Sequence, residues 1–158
     1  MPHSAITGVI GFTALIVIFV ILSSSTMVLG YEYTEKIVKK ELEAIGSSIA
    51  SQIVEAVSLA YDLLPGESIL IMIKMPKECS LGHYTVTLNN STLDNGKIIL
   101  ILKPVTYPRP EVVVPVPLST NLFKVLPSSI YSGSNRNYIN ITATDSEFQI
   151  KLIYMRGS

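Results

Sequence analysis

The sequence predicts an α+β chain: one long N-terminal helix, first hydrophobic and then amphipathic, leading into a C-terminal antiparallel β domain of sandwich type. Three observations carry that expectation. Residues 5–30 contain no charged side chain, residues 31–64 space apolar side chains three and four apart, and residues 65–158 hold β-branched runs broken by turn formers. The expected division is a helix over 1–64 and a β domain over 65–158. Within the helix, 5–30 is a membrane-crossing segment and 31–64 an amphipathic extension.

The uncharged stretch, AITGVIGFTALIVIFVILSSSTMVLG, would be roughly 39 Å long as a helix, against a hydrocarbon core of about 30 Å. It is longer than a secretory h-region, has no basic n-region and is not followed by a small-residue cleavage pattern, so it is expected to stay in the working protein. The alternative is the core helix of a soluble domain. The remaining chain is too small to wrap so long an apolar rod on every side.

Beyond Gly30 the composition becomes mixed. Leu42, Ile45, Ile49, Ile53, Val57, Ala60 and Leu64 step by three or four residues, fall on one helical face and are expected to pack on the β domain. Glu32, Glu35, Lys36, Lys39, Lys40, Glu41 and Glu43 occupy the first turns past the apolar run. Glu32 with Lys36, and Glu35 with Lys39, have the favourable spacing of four. They read as a solvated face, or as pairs between neighbouring copies in a bundle. Gly46, followed by Ser47 and Ser48, permits a bend or a close helix contact. Pro65 and Gly66 end the helix, because proline cannot continue the hydrogen-bond ladder and glycine accepts the geometry that follows it.

Six strands are expected, over 68–75, 83–88, 97–103, 111–117, 137–144 and 147–155. Asp94, Asn95 and Gly96 form a tight-turn signal between the second and third, and Asp145 with Ser146 form another near the C-terminus. An antiparallel meander follows, with a sandwich preferred over a barrel. Pro104, Pro108, Pro110, Pro115 and Pro117 keep the fourth segment out of a sheet centre, so it should be an edge strand or a polyproline-like crossover.

Charge and chemistry exclude several classes. Twelve Lys and Arg balance twelve Asp and Glu, which gives no electrostatic footprint for nucleic acid. Cys79 is the single cysteine, so neither an intramolecular disulfide nor a multi-thiolate zinc site can form, and a small apolar role is expected. His3 and His83 are isolated. Phosphate-cradling glycine loops, paired helical histidines and nucleophile elbows do not occur, so no catalytic residue, cofactor or metal is expected. Asn89, Asn90 and Asn140 each begin an Asn-X-Ser/Thr acceptor for N-glycosylation, which requires a domain outside the cytoplasm. Lys36, Lys39 and Lys40, taken alone, would place the β domain inside by the positive-inside rule. The acceptor sites and the lack of nucleotide motifs favour an external domain, the orientation expected here.

The order of a short N-terminus, an apolar stretch, an amphipathic continuation and a compact β domain resembles archaeal type IV pilin-like proteins, the superfamily that includes archaellins. The closest local match is AVSLAYDLLPGESILIMIKMP, where a helix closes at Pro-Gly and passes into an apolar strand. The resemblance implies a subunit held in the membrane and then drawn into a helical homopolymer. Bundled N-terminal helices would form the core of that cell-surface filament, serving adhesion or motility. It assigns Ile6, Val9, Ile10, Phe12, Leu15, Ile16, Ile18, Phe19 and Leu22 to the core. Archaellum stator-like proteins share the layout and give the alternative, an anchored envelope protein presenting its β domain to a partner.

Overall fold

The computed structural model describes residues 3–90, 97–106, 109–118, 122–134 and 136–155, with side chains from residue 11 onward. A single helix, α1 (His3–Ala60), passes through two compact units, Met1–Lys36 and Ile37–Ser158. No proline interrupts it, and its polar and apolar halves share an unbroken backbone ladder.

Among the described residues, eight strands follow in the second unit: β1 (Ser68–Met72), β2 (Tyr84–Asn90), β3 (Ile98–Pro104), β4 (Val112–Pro115), β5 (Phe123–Val125), β6 (Ser128–Tyr131), β7 (Asn137–Ala143) and β8 (Phe148–Tyr154). They form two four-stranded sheets, ordered β1-β7-β8-β5 and β4-β3-β2-β6. All pairings are antiparallel except that of β5 with β8. The chain is thus α+β, with two antiparallel-rich sheets behind one long helix.

Alternation along the strands builds the core. Tyr84, Val86 and Leu88 of β2 and Ile98, Leu100 and Leu102 of β3 point inward from one sheet, Ile139 and Ile141 of β7 and Ile150 and Leu152 of β8 from the other. The helix adds Val38, Leu42, Ile45, Ile49, Ile53, Ala56, Val57 and Ala60 to the same cluster. Leu42, Ile49 and Ile53 are fully enclosed, and burial of each contributes about 1.5–3 kcal/mol.

Polar contacts fix the helix beside the sheets. Gln52 Oε1 accepts from the Lys74 N–H while Gln52 Nε2 donates to the Lys74 carbonyl, both at 2.8 Å. Gly46 lies so close to β4 and β3 that a Cβ there would stand 2.6 Å from Val114 Cγ2 and 2.9 Å from Leu102 Cδ1. Of the two roles open to this glycine, the close contact is the one it fills. Ser132 is buried behind β2, where its Oγ accepts from the Tyr84 N–H and donates to the Lys77 carbonyl.

Several expectations are corrected. The helix stops at Ala60, not Leu64, because residues 61–66 turn the chain through Gly66, whose φ is +90°. Leu64 therefore falls off the helical face and is 66% exposed instead of packing on the β domain, while its N–H donates to Glu67 Oε2. The meander gives way to two sheets linked by crossovers, and β5 and β6 were not foreseen. Both are short, three and four residues, and Pro127 separates them. The proline-bearing β4 does lie at a sheet edge. The expected turn at Asp94, Asn95 and Gly96, and Pro108, lie outside the described residues.

Replacing Gly46 with valine is expected to lower unfolding stability by about 1–3 kcal/mol through overpacking against Val114 and Leu102. Ile49→Ala should cost about 2–5 kcal/mol through a core cavity. Denaturant unfolding of the detergent-solubilised chain measures both, and an unchanged midpoint for Gly46→Val would refute the close contact.

Candidate membrane and assembly helix

The residues assigned to a filament core occupy the first unit. Ile6, Val9 and Ile10 lie on α1, but their side chains are outside the described residues. Phe12, Leu15, Ile16, Ile18, Phe19 and Leu22 are all exposed, with Phe19 at 71%. Met27, Val28 and Leu29 continue the exposed apolar surface. A helix exposing large apolar side chains around its circumference is matched to lipid or to other apolar helices, not to water. Its length and composition suffice to cross a bilayer.

Within the polar interruption of this run, Ser24, Ser25 and Thr26 are satisfied internally. Ser24 Oγ donates to the Val20 carbonyl at 2.7 Å, Ser25 Oγ to the Ile21 carbonyl at 2.9 Å, and Thr26 Oγ1 reaches the carbonyls of both Leu22 and Ser23. These bonds to the preceding turn remove the donors from competition for water. In an apolar medium an unmet hydroxyl costs several kcal/mol by transfer scales, roughly 4–8. Tyr31 and Tyr33 follow, exposed at 64% and 68%, and the first charges begin with Glu32. Aromatic residues with polar tips suit the boundary between lipid and water.

In the second unit the stripe residues Leu42, Ile45, Ile49, Ile53 and Val57 come together in the β core, and Val38, Ala50 and Ala56 join them. That valine and the two alanines lacked a clear signal because small side chains do not stand out in the helical pattern. Glu41, expected on a solvated face or in pairs between neighbouring copies, instead holds the turn after β1: Oε2 accepts from the Ser80 N–H at 2.9 Å and Oε1 from Ser80 Oγ at 2.6 Å. Those two bonds hold the Glu41 carboxyl below its ordinary value, against a smaller opposing effect of burial. No local pattern could reveal that contact, because its partners are 39 residues apart.

The remaining singled-out side chains, Cys79 and His83, both contact backbone carbonyls. Cys79 is half-buried against the core, with Sγ 3.3 Å from the Gly82 carbonyl. His83 precedes β2, its Nδ1 2.9 Å from the Lys77 carbonyl and its ring edge-on to Tyr131. Burial, aided by nearby Cys79, pushes the Tyr84 hydroxyl far above its ordinary range, and that hydroxyl donates to the Pro76 carbonyl. Two open grooves of about 400 Å3 flank the helix, one beside Gln52, Leu59 and Met72, the other beside Val54, Val114 and Pro117. Among the described residues no group of three His, Cys, Asp or Glu side chains is placed to hold a metal ion.

Asn89 and Asn90 end β2, Asn89 Oδ1 accepting the Asn90 N–H at 2.8 Å, and the residues that complete their acceptor sequences lie outside the described set. Asn140 sits within β7. Comparison with protein-family models, curated proteins and solved structures finds no match for this chain.

Because the Glu41 pKa is lowered in the folded state, the stability that Glu41 adds is present at neutral pH and lost as pH falls through that lowered value. The stability gap between the native chain and Glu41→Gln should therefore narrow toward acid. Urea titrations across pH 3–7 (about the carboxylate range) check this, and a gap independent of pH would remove the carboxylate from the contact.

Proposed function

We propose that the chain is a structural, non-enzymatic subunit of an extracellular type IV pilus-like filament, of archaeal pilus or archaellum-related type. It is held in the membrane before assembly and polymerises through its N-terminal helix. The observation that carries this reading is the exposed apolar surface from Phe12 to Leu29, on the same helix whose continuation is buried in the β core. Lipid and a bundle of identical helices both satisfy that surface, so one segment serves the stored subunit and the polymer. The α+β architecture, with the helix passing through Pro65–Gly66 into an edge strand, is compatible with a pilin-like fold. Adhesion or motility would then be a property of the polymer.

A second reading is a subunit that keeps its anchor in the membrane, as in an archaellum stator-like protein, and presents the β domain to an envelope or surface partner. It is favoured by Tyr31 and Tyr33, exposed aromatic side chains with polar tips that suit a resident membrane boundary.

Shearing native cells and quantifying this chain's peptides by mass spectrometry separates the two. Enrichment in sheared filaments is the expected result, and retention with membranes would replace the filament by the anchored form. Ile16→Asp should abolish polymerisation, since a carboxylate at a helix centre costs about 2.5–3.5 kcal/mol in an apolar setting. Filaments that still form from this variant would take Ile16 out of the core.

A further inference from the structure

The outer face of the β1-β7-β8 sheet combines exposed apolar side chains with a glycosylation acceptor at its middle. Along β7 the buried residues are Asn137, Ile139, Ile141 and Ala143, so Tyr138, Asn140 and Thr142 share the opposite, outward face. Register places Leu70 of β1 directly across from Asn140 on one side and Lys151 of β8 on the other, with Met72 across from Tyr138. Leu70 and Met72 are 42% and 54% exposed. The Ile73 N–H donates to the Asn137 carbonyl, so by alternation Leu70 and Asn140 form a non-hydrogen-bonded pair, the kind that brings side chains closest. Their Cβ atoms are then about 4.5–5.5 Å apart.

We infer that Asn140 carries an N-linked glycan that lies over this sheet face and covers Leu70, Met72 and Tyr138. The inference rests on the extracellular placement proposed above. Asn140-Ile141-Thr142 supplies the acceptor, and in an extended strand the asparagine amide and the threonine hydroxyl stand on one side, two residues apart. In the covalent step Asn140 Nδ2 bonds to the anomeric carbon of a glycosyl phosphate donor. The carbon–oxygen bond to phosphate breaks, the phosphate departs with the bonding pair, and one amide proton passes to a base. β7 is paired on both sides in the folded sheet, so attachment precedes closure of that sheet.

A sugar ring offers a C–H face as well as hydroxyls, so the first residues of the glycan can shield the apolar side chains beside Asn140 while their hydroxyls face water. The glycan also dictates which surface is withheld from contact with neighbouring copies. That accounts for two exposed apolar side chains, Leu70 and Met72, beside Asn140 on the outside of a sheet whose other face is already buried.

The test uses the full chain from its native cells. Peptide mapping should find a glycan mass on the Asn140 peptide, and Met72 should oxidise slowly in dilute peroxide. Asn140→Gln and Thr142→Ala, which remove the acceptor in chemically different ways, should both abolish the added mass and speed Met72 oxidation severalfold. Thr142→Ser keeps the acceptor and should restore both. An unmodified Asn140 peptide in the mature protein overturns the inference, and so does Met72 oxidation that is the same with and without the glycan. Protease treatment of intact cells isolates the premise. If the β unit is digested while Asn140 is bare, the glycan is refuted and external placement stands. If the β unit is protected, both fall.

Discussion

Everything in the β-bearing unit depends on one burial constraint: the helical face from Val38 to Ala60 must be enclosed between two sheets that cannot enclose their own interior. Each sheet turns an aliphatic face inward, and the helix supplies the third wall of the same cluster. Small residues make the fit possible. Ala50, Ala56 and Ala60 keep the helix slim where it meets the strands, and Gly46 lets its backbone approach Val114 and Leu102. The helix is therefore as much a part of this unit as any strand.

That constraint also gives the two halves of α1 opposite solvation needs. After Ile37 the large apolar positions, Leu59 aside, form a stripe with a buried destination; before it they surround the helix and have none within the described residues. Both regimes lie along one helix, the first with exposed apolar side chains and the second with a buried stripe. Polar side chains inside the apolar half follow the same logic. Ser24, Ser25 and Thr26 turn their hydroxyls onto the preceding turn.

What the sequence disclosed follows from range of interaction. The helical stripe, the strands with clear period-two alternation and the proline-marked edge are local patterns, and each was legible. Leu64 lies off the helical face because the pattern continues in register past Ala60, where the helix ends, and periodicity carries no information about where a turn begins. β5 and β6 are too short for alternation to rise above their surroundings, and they exist because β8 and β2 offer them ladders. Sheet order is non-local where it leaves the sequential hairpins: β1 pairs with β7 across the 64 residues between Met72 and Asn137, a fact that no window could contain. The exposed helix surface was readable from hydropathy alone. The Glu41 clasp on Ser80 was not, since an ordinary charged helix position gives no sign of its partner.

The side chain of Gln52 answers a problem posed by the edge of β1. In the ladder to β7 the odd-numbered residues of β1 use their backbone groups, which leaves those of Ser68, Leu70, Met72 and Lys74 facing the open side. Gln52 meets both groups of Lys74, standing in for one rung of an absent strand. Since β1 carries neither proline nor charge between Ser68 and Met72, it lacks the usual edge protections. A primary amide borrowed from the helix acts as a stop at one end of the template, limiting how far an intruding chain could zip along it. Crowded, repeated copies would feel that safeguard most, where a single unguarded edge could seed misassembly throughout the array.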